Sequence, residues 1–294
     1  MQPINLSLHP QETLTAGLLR VVDTLVDSGT DCMEHHSQNG ESVHQVRTTI
    51  KRLRALLRLI RPAISQSLFD CENTRLRVAA RRLSSVRDSE VARKTLETLP
   101  VSNSAEEKAV ATVLSGLGTN SESPQSLDES MAEVRKDLEQ TRRSLHRVTF
   151  RGKEQKLIEA GLVAVYRQGR KRMKTAIAQG QDRAFHRWRI RAKNLYYELQ
   201  FLESIWPKRL HRMILRLAKL QEEIGVDHDI SVLKEMLQKT PDAYGGSVAV
   251  QRVLHRLNNE SCKRRGIAIP LGGKIWSQKP ARFARKIGKH CRKR

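Results

Sequence analysis

The chain has 294 residues, with 54 Lys and Arg against 31 Asp and Glu and a formal net charge of +23. So basic a balance points to a polyanionic partner: nucleic acid, polyphosphate or an anionic membrane. No run of about 20 apolar residues occurs, so no transmembrane helix is expected. The start Met1-Gln-Pro-Ile-Asn-Leu-Ser-Leu-His lacks the basic region and apolar core of a secretory signal.

Helical periodicity dominates and alternating strand patterns are scarce, so the expected class is all-α. A first helix is predicted from about Gln11 to Gly29, with Gly29 as its C-cap. A second covers about Glu41 to Arg61 and stops at Pro62. A third runs from about Gln66 to Val86, and Asp88 reads as the N-cap of a fourth that Pro100 ends. A Ser-rich stretch with Gly116, Gly118 and Pro124 follows, in which Ala105 to Leu117 can be helical. Its tail reads as the linker between two halves, about 9–122 and 126–260. Helices are then predicted over about Leu127 to Val148, Lys153 to Ala178 and His186 to Trp206, the last stopping at Pro207. Arg209 to Ile224 and Ile230 to Lys239 read as separate helices, with Asp229 between them mirroring Asp88. Val248 to Lys263 closes the series. Residues 261–294 hold twelve Lys or Arg, no acid, and Gly266, Pro270, Gly272, Gly273 and Pro280. They read as a flexible basic arm that carries about half of the net charge.

Within this helical frame one segment occurs twice at a constant offset. His44, Arg47 and Lys51 match His186, Arg189 and Lys193, and the apolar Ile50, Leu53, Leu57 and Ile60 match Ala192, Leu195, Leu199 and Leu202. A fixed-offset repeat marks two copies of one unit. At about 100° per residue, His44, Arg47, Lys51, Arg54 and Arg58 share an arc roughly 80° wide, opposite the apolar set. No acid lies between Glu41 and Asp70, so the row is unneutralised in sequence. Stacked like charges destabilise an isolated helix; packing of the apolar face must offset that, and a bound polyanion would remove it. Further basic stripes are Arg209, Arg212, Arg216 and Lys219, then Arg167, Arg170, Lys171 and Lys174, and more thinly Arg75, Arg81, Arg82 and Arg87.

The four cysteines, Cys32, Cys71, Cys262 and Cys291, form no CxxC pair and read as free thiols of a reducing, cytoplasmic setting. Cys32, His35 and His36 do not make a convincing metal site, because adjacent histidines on a helix project in different directions. No cofactor is expected.

The repeated His-x-x-Arg-x-x-x-Lys helix ending at a proline resembles the conserved histidine α-helical domain, or CHAD, family. The paired elements are His44/Arg47/Lys51 with Arg87-Asp88, and His186/Arg189/Lys193 with His228-Asp229, and the resemblance covers about Gln11 to Asn259. It implies two four-helix bundles related by an internal pseudo-twofold, forming one domain over about 9–260. It also implies a basic central groove or pore that binds inorganic polyphosphate, and residence on polyphosphate granules in the cytoplasm. By position the ligand-facing residues are His44, Arg47, Lys51, Arg54, Arg58, His186, Arg189 and Lys193, joined by Arg82, Arg87, Arg212, Arg216 and Lys219. Tyr196 and Gln200 stand where the first copy has Arg54 and Arg58, so the second row is shorter. The Glu-x-Glu-x-Lys element of the triphosphate tunnel domain that sometimes accompanies the family does not occur, so the expectation is a stand-alone, non-catalytic binding module.

Two rivals remain. An RNA- or DNA-binding protein would use the same helices, with Tyr196 and Tyr197 available for base stacking. A metal-dependent polyphosphate-processing enzyme would need carboxylates beside the cations, for which Asp88, Asp229, Glu222 and Glu223 are the nearest.

Overall fold

The computed structural model describes residues 5–35, 40–83, 85–117, 124–150 and 152–291, without the side chains of 35, 40, 85–90 and 124–126. Among the described residues the regular structure is entirely helical. Leu18, Val22, Leu25 and Val26 bury one stripe of α1 (Leu14–His35), which faces α2 (Gly40–Ile60). Gly29 lies inside α1 rather than capping it. Leu138 and Thr49 close over that position, so the contact continues beyond it.

The side chain of Ser65 accepts a hydrogen bond from Leu68 N at 3.2 Å and starts α3 (Gln66–Arg82). This helix packs on α2 and on α6 (Pro124–His146), and α6 returns to α1, closing a four-membered ring. The next four helices are α7 (Glu154–Gln179), α8 (Asp182–Phe201), α9 (Pro207–Lys239) and α10 (Gly246–Ile275). They pack in series, and α10 touches α7 again. α2 lies against both α7 and α8, and one continuous apolar core runs through all these helices. The closest approach is at Gly161, buried on α7 against the Leu59 carbonyl of α2.

A smaller core lies apart. α4 (Ser85–Glu97) and α5 (Ser104–Gly116) come from the first half of the sequence but pack on α9 and α10. There Leu96, Leu99, Val113 and Leu117 meet Ile230, Leu233, Leu237, Val253 and Leu257. The midpoint of the sequence is therefore not a boundary of the core.

Two sequence expectations are corrected. α9 is one helix of 33 residues, so Asp229 is internal and caps nothing. Ile224, Ile230, Leu233 and Leu237 continue the buried stripe of Leu217 and Leu220, and this packing outweighs the roughly 1 kcal/mol that Gly225 costs inside a helix. Asp88 likewise falls inside α4, although its side chain is outside the described residues.

The larger correction concerns residues 261–291, expected to be a flexible arm. α10 continues through Pro270 to Ile275, and α11 (Pro280–Cys291) folds back onto α7. Tyr166 explains why. Its ring stacks on Phe283 with centroids 4.2 Å apart, and its hydroxyl donates to the Ile275 carbonyl at 2.8 Å. The same hydroxyl accepts from Gln278 N at 3.2 Å. The glycines are points of close approach, not breaks: a Cβ on Gly272 would sit 2.5 Å from Trp188 Cζ2, and one on Gly169 2.5 Å from Trp276 Nε1. Phe283, Ala284 and Ile287 are buried.

Removing a core aromatic of this kind costs about 3–5 kcal/mol. Phe283→Ala is therefore expected to lower the urea midpoint of the whole main core, whereas truncating a side chain in a flexible arm would leave it unchanged. Equilibrium unfolding followed by Trp fluorescence distinguishes the two.

Candidate functional site

The α2 row begins at His44, which is exposed, and runs inward through Arg47, Lys51, Arg54 and Arg58, all half-buried. Its backing residues Val46, Ile50, Leu53 and Leu57 are buried, so apolar packing holds the helix that presents the charges. The Arg47 guanidinium donates to the Leu83 carbonyl at the end of α3. At its inner end Arg58 donates to the Arg54 carbonyl at 2.5 Å and to Asn73 Oδ1 at 3.0 Å, while Arg54 donates to the same oxygen at 3.2 Å.

α8 brings the second row to the first, and α9 supplies what lies between them. His186 and His228 stand with Nδ1 atoms 3.1 Å apart and ring centroids at 4.2 Å. One nitrogen of such a pair donates and the other accepts, so at least one of the two rings is neutral. Burial pushes His228 down to about 3, and the charges of Arg189, His186, Lys193 and Lys51 act in the same direction. His186 is lowered by burial, Arg189 and Lys193. Lys51 of the first copy thus converges with His186, Arg189 and Lys193 of the second around one α9 side chain.

A second centre lies further along α2; Arg58 follows Lys51 by two helical turns, roughly 10 Å. Burial holds Arg58 down to about 10, and the charges of Arg54 and Arg191 add to this while Glu198 opposes it. Arg54 is lowered by burial and by Arg77 and Arg191, and Arg191 by burial and by Arg172 of α7. Below them Glu198 is 0% exposed. Burial lifts its carboxyl well above the usual range, although Arg58 and Arg191 pull the other way. Arginines from α2 and α8 therefore crowd together over one buried carboxyl.

Not every expected residue joins these centres. Arg82 is committed to α6, donating to Asp137 Oδ2 at 2.6 Å. The side chain of Arg87 lies outside the described residues. Arg212, Arg216 and Lys219 are exposed on a different side of α9. Lys219 precedes His228 by nine residues, half a turn round the helix, and Arg216 shares its side with Glu223, which accepts from Arg264 of α10 at 3.2 Å.

Arg191, Glu198 and His228 are the residues sequence reasoning missed. Arg191 and Glu198 sit on the flank of α8 away from the His186 row, where the repeat carries no signal. His228 has one, the His-Asp pair matching Arg87-Asp88, but the pair falls between two predicted helices rather than within the single α9.

The CHAD domain family model matches residues 23–238, most of the chain and both copies of the repeat. The chain belongs to the CHAD domain family. No curated protein sequence matches it. The matched CHAD segment includes α2, α8 and nearly all of α9, so both charge centres lie within it, whereas α10 and α11 lie beyond it. No described helix is long and apolar enough to cross a membrane.

The depressed His228 links this site to stability. The folded protein resists a proton that the unfolded chain accepts at its ordinary pKa of 6.5. Stability is fully present above that value and is lost as pH falls toward about 3, by up to about 1.4 kcal/mol per pH unit. His228→Asn is expected to flatten the fall in unfolding free energy through this window, measured by urea titration at a series of pH values.

Proposed function

We propose that this CHAD domain is a non-catalytic binding module for inorganic polyphosphate, taking the chain along the groove where α2, α8 and α9 meet. In this reading α1, α2, α3 and α6 and the set α7 to α10 are two four-helix bundles related by a pseudo-twofold, with the repeated rows lining their junction. The observation that carries the proposal is the meeting of α2 and α8 cations at two desolvated centres: Lys51 with Arg189 and Lys193 around His228, and Arg54 and Arg58 with Arg191 above the buried Glu198. A polyanion relieves that repulsion and replaces the lost water with phosphate oxygens. Arginine supplies planar, bidentate contacts and lysine a point charge. Residence on cytoplasmic polyphosphate granules follows from the same reading.

The packing of the tyrosines favours polyphosphate over RNA or DNA. Tyr196 and Tyr197 lie edge to face at 5.3 Å, the Arg52 guanidinium covers Tyr197 at 5.6 Å, and Gln200 donates to the Tyr196 hydroxyl at 3.0 Å. Rings held in this way are poor platforms for splayed bases. The engagement of the acids favours binding over catalysis: Glu223 is held by Arg264, Asp229 opens on a separate pocket with Lys94 and Glu260, and Asp182, beside His186 and His228, is held by Lys234 and Arg265.

The decisive experiment is competition of long-chain polyphosphate against single-stranded RNA of matched charge at near-physiological salt. Preference for polyphosphate is expected, and equal or better RNA binding overturns the assignment. The double variant Lys51→Glu/Lys193→Glu should weaken polyphosphate binding by more than about tenfold and lower the salt slope by about one per lost contact, with unchanged helical circular dichroism.

Burial is the larger cause of the lowered His186 and His228 pKa values, and bound phosphate would offset the second, the nearby cations, and so raise both. Binding should therefore take up protons and tighten as pH falls. Calorimetry in two buffers of different ionisation enthalpy measures the uptake, which should disappear in His186→Asn/His228→Asn.

A further inference from the structure

The fold builds a second cationic surface that the groove does not use. On α7, Arg167, Lys171 and Lys174 recur at helical spacing and are exposed. On α11, Arg282, Arg285 and Lys289 do the same, and they stand opposite the buried Phe283, Ala284, Ile287 and Gly288. The two helices pack together and run antiparallel, since Gln278 meets Arg170, Phe283 meets Tyr166 and Gly288 meets Glu159. Their exposed rows therefore join end to end in one strip roughly 25 Å long, by the rise of a helix. No acid occurs from Ala160 to Gln181 or from Ser261 onward, and Glu159, against Gly288, stands at the far end of the strip.

This strip is a different face from the groove. Gly161, where α7 meets the Leu59 carbonyl of α2, is about 120° round the helix from Arg167. Arg172, which acts on Arg191, is turned about 100° from Lys171.

We propose that the α7–α11 strip binds a second stretch of polyphosphate, so that one molecule holds two chains. The inference rests on the reading of the groove given above and adds a second valence to it. The chemistry of the strip selects the ligand. It offers guanidinium and ammonium groups on a rigid helical surface, and the apolar residues that would enter a membrane or stack on bases, Ile275, Trp276, Phe283 and Ile287, are buried in the core. Apart from Ile177, exposed at the end of α7, what is left presents cations to phosphate oxygens. A bivalent binder of a flexible polyanion gains avidity and crosslinks its ligand, which would condense a granule as well as coat it.

The test uses the full chain. Long-chain polyphosphate is immobilised, protein is bound and washed, and fluorescently labelled polyphosphate is added in solution. Wild type is expected to hold the immobilised chain and capture the label. The variant R282E/R285E/K289E should keep its affinity for short polyphosphate within about twofold, because the groove is intact, yet capture less label by about tenfold or more. Wild type that binds the surface but captures no label, or a variant that captures as much as wild type, overturns the second site and leaves the groove standing. Capture of labelled RNA in place of polyphosphate overturns it as well. The reading of the groove fails separately, if Lys51→Glu/Lys193→Glu binds short polyphosphate as wild type does.

Discussion

The crossing of α2 over α8 is the constraint on which the rest of the molecule depends. Each helix is largely apolar on one side and cationic on another, and burying the apolar sides against a common core brings the cationic sides together. Water normally screens such charges, but here much of it is excluded. The lowered pKa values of Arg54, Arg58, Arg191, His186 and His228 all express one fact: positive charge is poorly solvated where the two copies meet. The core stabilises this arrangement without a ligand, and an anion would improve it.

Much of the scaffold was legible before any coordinates. The helical class, the starts of α2, α3 and α5, the stop of α2 at Pro62 and the orientation of the α2 row follow from periodicity and capping, which are local properties. What a helix packs against is not local, and there the reading lost resolution. His44 and His186 occupy matched positions in the repeat, but His44 is exposed while His186 pairs with His228. Arg82 carries the same charge as Arg58 yet is spent on Asp137. Arg191 looks like any solvated arginine in sequence, and only the approach of Arg54 and Arg58 places it in the site.

The C-terminal helices show the same limit in another form. Gly and Pro break a helix that stands alone. In α10 and α7 the small residues lie under indole rings, and the contacts Gly272 to Trp188 and Gly169 to Trp276 are possible only because neither glycine carries a side chain. Twelve positive charges also suggested a solvated tail. On α11, Arg282, Arg285 and Lys289 occupy one side of a helix whose other side, Phe283, Ala284 and Ile287, is buried in the core.

That strap has a consequence for how the protein is made. Tyr166 is synthesised well over a hundred residues before Phe283, the ring that covers it. At translation rates of about 5–20 residues per second the delay is on the order of ten seconds. Until then the outer side of α7, with Tyr166 and Gly169, has no complete cover, and Trp188 on α8 waits a shorter time for Gly272 and Trp276. A nascent chain of this protein thus carries an open aromatic seam until nearly its last helix has emerged, and any message truncated before α11 would leave that seam open for good.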